Sequence, residues 1–137
     1  VDNEASIQAG IDFLKEDFEG LIFSNLIEFD MTYGHRNDVQ GYAAKLEEFD
    51  RRIPQIRAAM KQTDIAVVVA DHGVDPTTPS TDHSREYIPL LVFGVPVKND
   101  VNLGDRKTYS DLAATIAEIF DLEPPEIGTS FLGEILR

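Results

Sequence analysis

The 137-residue sequence has no cysteine and little positive charge, with 12 Lys and Arg against 25 Asp and Glu. Without thiols there is no disulfide framework. That usage is compatible with a reducing cytoplasm, the location expected for this chain. A formal charge of −13 argues against nucleic acid, whose binders present clustered Lys and Arg, and against an anionic membrane surface. No nucleic-acid partner and no membrane are therefore expected. No apolar run approaches the roughly 20 residues that span a bilayer as a helix, and no basic-then-apolar stretch of the signal type opens the chain. Internal repeats, low-complexity tracts and linkers are also missing. The length then predicts one domain, or a piece of one, able to bury a core.

What is present is ordinary in bulk, 42% hydrophobic and 27% charged, as in a soluble globular protein. The acidity reads as a solvated surface, part of which serves cations. Histidine is unusual in its placement. Two of the three histidines lie in Val67–Pro89, where an apolar run stops at Asp71-His72-Gly73 and a Pro/Thr/Ser-rich loop leads to Asp82-His83. The third closes another acidic loop, Phe29-Asp30-Met31-Thr32-Tyr33-Gly34-His35-Arg36. Every histidine is thus spent on a short acidic loop, which points to a metal site.

The scaffold reads as follows. Asp2 or Asn3 caps a first helix with Ile7, Ile11, Leu14 and Phe18 on one face, ending near Gly20. Leu21 to Phe29 has little alternation and predicts a strand buried on both faces. Asp38 caps a longer helix with Val39, Tyr42, Leu46, Phe49, Ile53, Ile56 and Met60 as its apolar stripe, and Pro54 predicts a kink or break near Asp50. Ile65 to Ala70 and Ile88 to Phe93 are further strands. Thr108 and Asp111 have capping-box-like spacing before a helix striped by Leu112, Ile116 and Ile119 and closed by Pro124-Pro125. Gly128-Thr129-Ser130-Phe131-Leu132 predicts a loop docking an apolar plug. This order argues for a three-layer α/β/α domain with a largely parallel sheet. Ligands collect beyond the carboxyl ends of such strands, where the pattern puts Asp30 and Asp71-His72.

Asp30, His35, Asp71, His72 and His83 offer two carboxylates and three imidazoles. A mixed oxygen and nitrogen set without thiolate suits manganese, zinc or iron better than calcium. Asp71 and His72 would point opposite ways in extended chain, but the turn that Gly73 permits allows both to face one cation or to be shared between two. Five ligands exceed the needs of one half-open site, so two neighbouring ions are expected. Asp75 and Asp82 read as turn residues, and Arg85-Glu86 as a surface ion pair, with phosphate as a second use for Arg85.

Ala70-Asp71-His72-Gly73-Val74-Asp75-Pro76-Thr77 and Thr81-Asp82-His83-Ser84-Arg85-Glu86-Tyr87-Ile88-Pro89 closely resemble the C-terminal signature of the bacterial phosphopentomutases, within the alkaline phosphatase superfamily. The Phe29–Arg36 loop resembles that family's other metal loop, and Gly128 to Leu132 its terminal segment. The resemblance implies an alkaline-phosphatase-like core and reversible transfer of phosphate between the C1 and C5 hydroxyls of ribose or deoxyribose. It also implies a phosphorylated threonine and two Mn2+ ions, with a pentose phosphate as substrate. Asp71 and His72 would bind one ion, and Asp30, His35 and His83 the other. The family's first ion also takes an N-terminal aspartate and the nucleophilic threonine, and its sugar phosphate is held by an inserted cap. None of Thr32, Thr63, Thr77, Thr78, Thr81, Thr108, Thr115 or Thr129 stands in the matching context, so no nucleophile is assigned.

Residues 1–137 are accordingly expected to be the C-terminal portion of a metal-binding catalytic core. The non-methionine start at Val1 fits a processed or truncated product, inactive by itself, that associates with its missing N-terminal part or with itself. Two other readings stay open: another metal-dependent phosphomutase or phosphomonoesterase of the superfamily, and a non-catalytic metal-binding domain.

Overall fold

A computed structural model describes residues 2–137. The chain divides into two compact units, the first ending at Gly94 and the second spanning Val95–Arg137.

In the first unit, Asp2 caps helix α1 (Asn3–Leu14), its carboxylate accepting from the Ala5 amide at 2.8 Å. Ile7 and Ile11 are buried on its inner face. The helix stops at Leu14 rather than near Gly20, so Phe18 lies outside it, half exposed. Asp38 caps helix α2 (Val39–Ala59) through a 2.9 Å bond from the Gly41 amide. Helix α2 continues through Pro54 without the expected break. Its stripe is only half-buried at Tyr42, Phe49, Ile53, Ile56 and Met60, and Val39 and Leu46 are exposed. Arg52 of α2 reaches Glu4 and Gln8 of α1, both at 2.7 Å.

The segment 21–26 takes no regular structure, and Phe29–Tyr33 forms a π-helical turn. The buried strand expected over Leu21 to Phe29 is therefore not formed. A strand needs a ladder partner for its backbone groups, and among the described residues this segment has none. Leu21 and Phe23 remain exposed. Its C-terminal end is pinned instead by side chains: the Asn3 amide donates to Glu28 at 2.7 Å, and the Glu28 amide donates back to the Asn3 side chain at 3.1 Å. Glu28 also pairs with Lys45 of α2 at 3.6 Å. This exchange holds the turn that follows, which carries Asp30.

Strands β1 (Ala66–Val69) and β2 (Leu90–Phe93) pair antiparallel, from Ala66 opposite Phe93 to Val69 opposite Leu90. They are the only strands among the described residues, so the largely parallel three-layer sheet expected from the sequence is not present in them. Parallel neighbours need a crossover, usually a helix. The connection 70–89 contains no helix and simply returns the chain alongside β1. At Gly94, φ is +154°, and a Cβ would collide with the Asp64 carbonyl.

In the second unit, helix α3 (Ser110–Ile119) and the short helix α4 (Leu132–Ile135) surround the terminal plug expected from the sequence. Phe131 is 1% exposed and Ile135 2%. Helix α3 buries Asp111, Ala114, Thr115 and Ala117, while Leu112 and Ile116 are half-buried and Ile119 is exposed. The buried face is thus offset from the branched stripe, because polar bonds decide it. Asp111 accepts from the Thr129 amide at 2.9 Å and from Arg106 at 2.8 Å. Thr115 donates to the Asp111 carbonyl at 2.7 Å and accepts from the Phe131 amide at 3.0 Å. Asp111 therefore does not complete a capping box with Thr108. The α3 N-cap, Tyr109, makes no side-chain cap, and the Thr108 hydroxyl accepts from the Ser110 amide instead. Gly128, at φ +123°, passes so close to the Ser110 carbonyl that a Cβ could not fit.

Candidate metal centre

Two loops of the first unit carry every proposed ligand. The first is the π-helical turn Phe29–Tyr33 followed by a 3-10 turn, Gly34–Arg36. Gly34 is buried where a Cβ would meet the Phe29 carbonyl and the Val74 side chain, each at 3.0 Å, so a side chain here would push on the second loop. Phe29 packs its ring on Tyr42 of α2 with centroids 5.6 Å apart. The second loop leaves β1 and is closed at its base by a bridge between Gly73 and Ser84, with the Ser84 amide bonded to the Gly73 carbonyl at 3.0 Å. A Cβ on Gly73 would stand 2.7 Å from the Ser84 carbonyl and from the Glu86 amide. Asp75 shapes the outgoing arm, accepting from the Thr77 amide at 2.9 Å and from its hydroxyl at 2.6 Å. Those bonds, hydroxyl first, hold the Asp75 carboxyl below the ordinary range.

Asp30 is the centre of the cluster. Its Oδ2 lies 3.4 Å from His35 Nε2, and its Oδ1 lies 3.4 Å from His83 Nε2 and 3.8 Å from His72 Nε2. The His72 and His83 rings stack with centroids 3.6 Å apart, and His35 and His83 lie 5.0 Å apart. Asp30 Oδ1 is buried and has no hydrogen-bond partner. A buried carboxylate oxygen without a partner is costly. The three nitrogens around Asp30 are too far for ordinary hydrogen bonds, which run about 2.7 to 3.2 Å. Those of His35 and His83, at 3.4 Å, match the separation of about 3.4 Å between ligand atoms on a tetrahedral ion with bonds near 2.1 Å, and that of His72 is slightly longer. One ligand atom each from Asp30, His72 and His83 lies within 4.8 Å of the others. The residues present therefore fit a divalent ion.

The ligand nitrogens are aimed from behind. His35 Nδ1 is bonded to the Thr81 carbonyl, an arrangement that puts a proton on Nδ1, so that in the neutral ring Nε2 carries the lone pair. His72 Nδ1 contacts the Gly73 carbonyl at 3.1 Å with the same consequence. Burial pushes the Tyr42 phenol up, and the nearby Asp30 charge adds to that.

Of the five residues singled out in the sequence, Asp30, His35, His72 and His83 converge. Asp71 stands at the rim with its carboxylate 87% exposed, 3.7 Å from His72. Asp30 is in a helical turn rather than at a strand end. Asp75 forms a turn as expected, whereas Arg85 and Glu86 are not among the ion pairs of the described residues. Sequence reasoning passed over Asn37, which donates to the Thr78 carbonyl at 3.0 Å in a left-handed conformation (φ 51°, ψ 33°). The available signal was an Asn between a Gly-His-Arg turn and the Asp38 cap, since Asn tolerates that region.

The chain is similar to known proteins. Over 98% of the chain, it is 62% identical to a phosphopentomutase of Herpetosiphon aurantiacus, 54% to one of Carboxydothermus hydrogenoformans and 53% to one of Acetivibrio thermocellus. It spans about a third of their length, 34% to 35%. Residues 1–124 match the metalloenzyme superfamily, a stretch that includes all five proposed ligands, and the chain belongs to that superfamily.

Proposed function

We propose that this chain is the metal-binding portion of a phosphopentomutase, an enzyme that moves phosphate between the C1 and C5 hydroxyls of ribose or deoxyribose. The observation that carries the reading is the buried, partnerless Asp30 oxygen ringed by imidazole nitrogens. The name borne by relatives that match 98% of the chain supports it. Asp30, His35 and His83 would hold one Mn2+ ion, and Asp71 and His72 would supply two ligands to a second ion completed by the remainder of the protein. Ions held there would supply positive charge to the phosphoryl oxygens. The chain's own task is to orient. The Thr81 and Gly73 carbonyls set the His35 and His72 tautomers, and the loop bridge at Gly73 holds His83 over Asp30. The phosphorylated threonine belongs to the remainder of the protein.

In the complete protein, β1 and β2 join a largely parallel sheet between two helical layers. Exposed Leu21, Phe23 and Leu91 are covered by that remainder or by a second copy. The location is the cytoplasm, where phosphorylated sugars are made and used.

Calorimetry of the chain should give close to one Mn2+ per molecule, lost on combined His35→Ala and His83→Ala replacement. Two equally tight ions, or none, would contradict the ligand division. The full-length protein should convert ribose 5-phosphate to ribose 1-phosphate. Free phosphate as the product would favour a phosphomonoesterase, the second reading that membership of so broad a superfamily leaves open.

A further inference from the structure

Asn37 sits in a conformation that glycine adopts at lower cost, so its side chain must return something for the position. Its Nδ2 spans 41 residues of sequence to the Thr78 carbonyl at 3.0 Å. A carbonyl only accepts, so this bond fixes which way the amide faces, and it leaves Asn37 Oδ1 buried without a partner. The amide is held against that cost. Two residues earlier, His35 holds the Thr81 carbonyl. One short turn therefore grips the 73–84 loop at two carbonyls. The loop's base is closed by the Ser84 amide on the Gly73 carbonyl, and His83 is next to that base. With base and tip both fixed, His83 has little freedom to leave Asp30.

We propose that Asn37 is a positioning residue of the metal centre, the clamp that holds the 73–84 loop so that His83 Nε2 meets the Asp30 carboxylate. The proposal rests on reading the Asp30 cluster as a metal site, and its test separates the two ideas. Asn37→Gly keeps the positive φ and removes the amide. Asn37→Asp keeps the shape and removes the donor, and serves if the first variant folds poorly. Zn2+ is the probe, because imidazole sites hold it more tightly than Mn2+ and weakened variants stay measurable by calorimetry.

Either variant should bind Zn2+ about 10- to 100-fold more weakly, the usual effect of losing a group that orients a ligand. In a His83→Ala background the same change should cost far less, since the ligand it orients is already gone. Loss of Zn2+ affinity by the same factor in both backgrounds would mean that Asn37 supports the fold in general, and would overturn the proposal. Unchanged affinity in both variants would overturn it as well while leaving the metal site intact. Failure of the unaltered chain to bind Zn2+ would overturn the metal reading itself, and this inference with it.

Discussion

Two aspartates of this chain do different jobs, and the bonds their carboxylates make separate them. Asp30 keeps an oxygen free of protein partners, whereas Asp111 spends both oxygens, one on the Thr129 amide and one on Arg106. The Thr129 bond, then the Arg106 guanidinium, hold the Asp111 carboxyl below the ordinary carboxylate value. A carboxyl lowered in the folded state stabilises fully above its unfolded value of about 3.9. That stabilisation is lost as pH falls through the folded value. Asp111→Asn should therefore lower the melting temperature at pH 7. The gap from the unaltered chain should close as pH drops below about 4, as thermal melts across pH would record. A gap that stays constant with pH would mean that the carboxylate charge is not what secures the tail. The five ligand candidates were legible in the sequence because every histidine stands in an acidic loop. Residue spacing did not show which of them meet, and a grouping came only with the family resemblance, since the Asp30–His72 approach depends on how two loops 42 positions apart are folded onto each other.

At the scale of elements, legibility followed local signals. Helices α1 and α2 begin where their capping aspartates put them, because a cap is a bond made within three residues. Strands β1 and β2 fall inside the apolar runs, Ile65 to Ala70 and Ile88 to Phe93, that predicted them. Pairing is not local. Leu21 to Phe29 has the composition of a buried strand, but composition supplies no partner, and the segment instead ends in a π-helical turn pinned by the Asn3–Glu28 exchange. The direction of the β1–β2 pair failed for a related reason. A parallel reading assumed a crossover, while the intervening residues are occupied in building the histidine loop. In α3 the apolar stripe misplaced the inner face because Asp111 and Thr115, both polar, are the residues the tail bonds to. The candidate site and the departures from the expected sheet are thus linked: residues 70–89 build the histidine loop and form no helical crossover.

For the whole molecule, charge and exposed apolar surface oppose each other. A net charge of −13 makes copies repel at low ionic strength. Added salt shortens that repulsion to about 10 Å at 0.1 M, while the apolar side chains of Leu21, Phe23 and Leu91 stay uncovered. Sedimentation velocity should show monomer at low salt and growing association as salt rises. A monomer unchanged at high salt would show that these residues attract no partner copy. The placement of the histidines has a spectroscopic consequence. With three histidines in the chain and all of them within the two loops, the imidazole carbon-bound protons form a magnetic resonance fingerprint of this centre alone. The stacked His72 and His83 rings shield each other, so their signals stand apart from those of His35. The protein carries its own reporter, needing no label to be read.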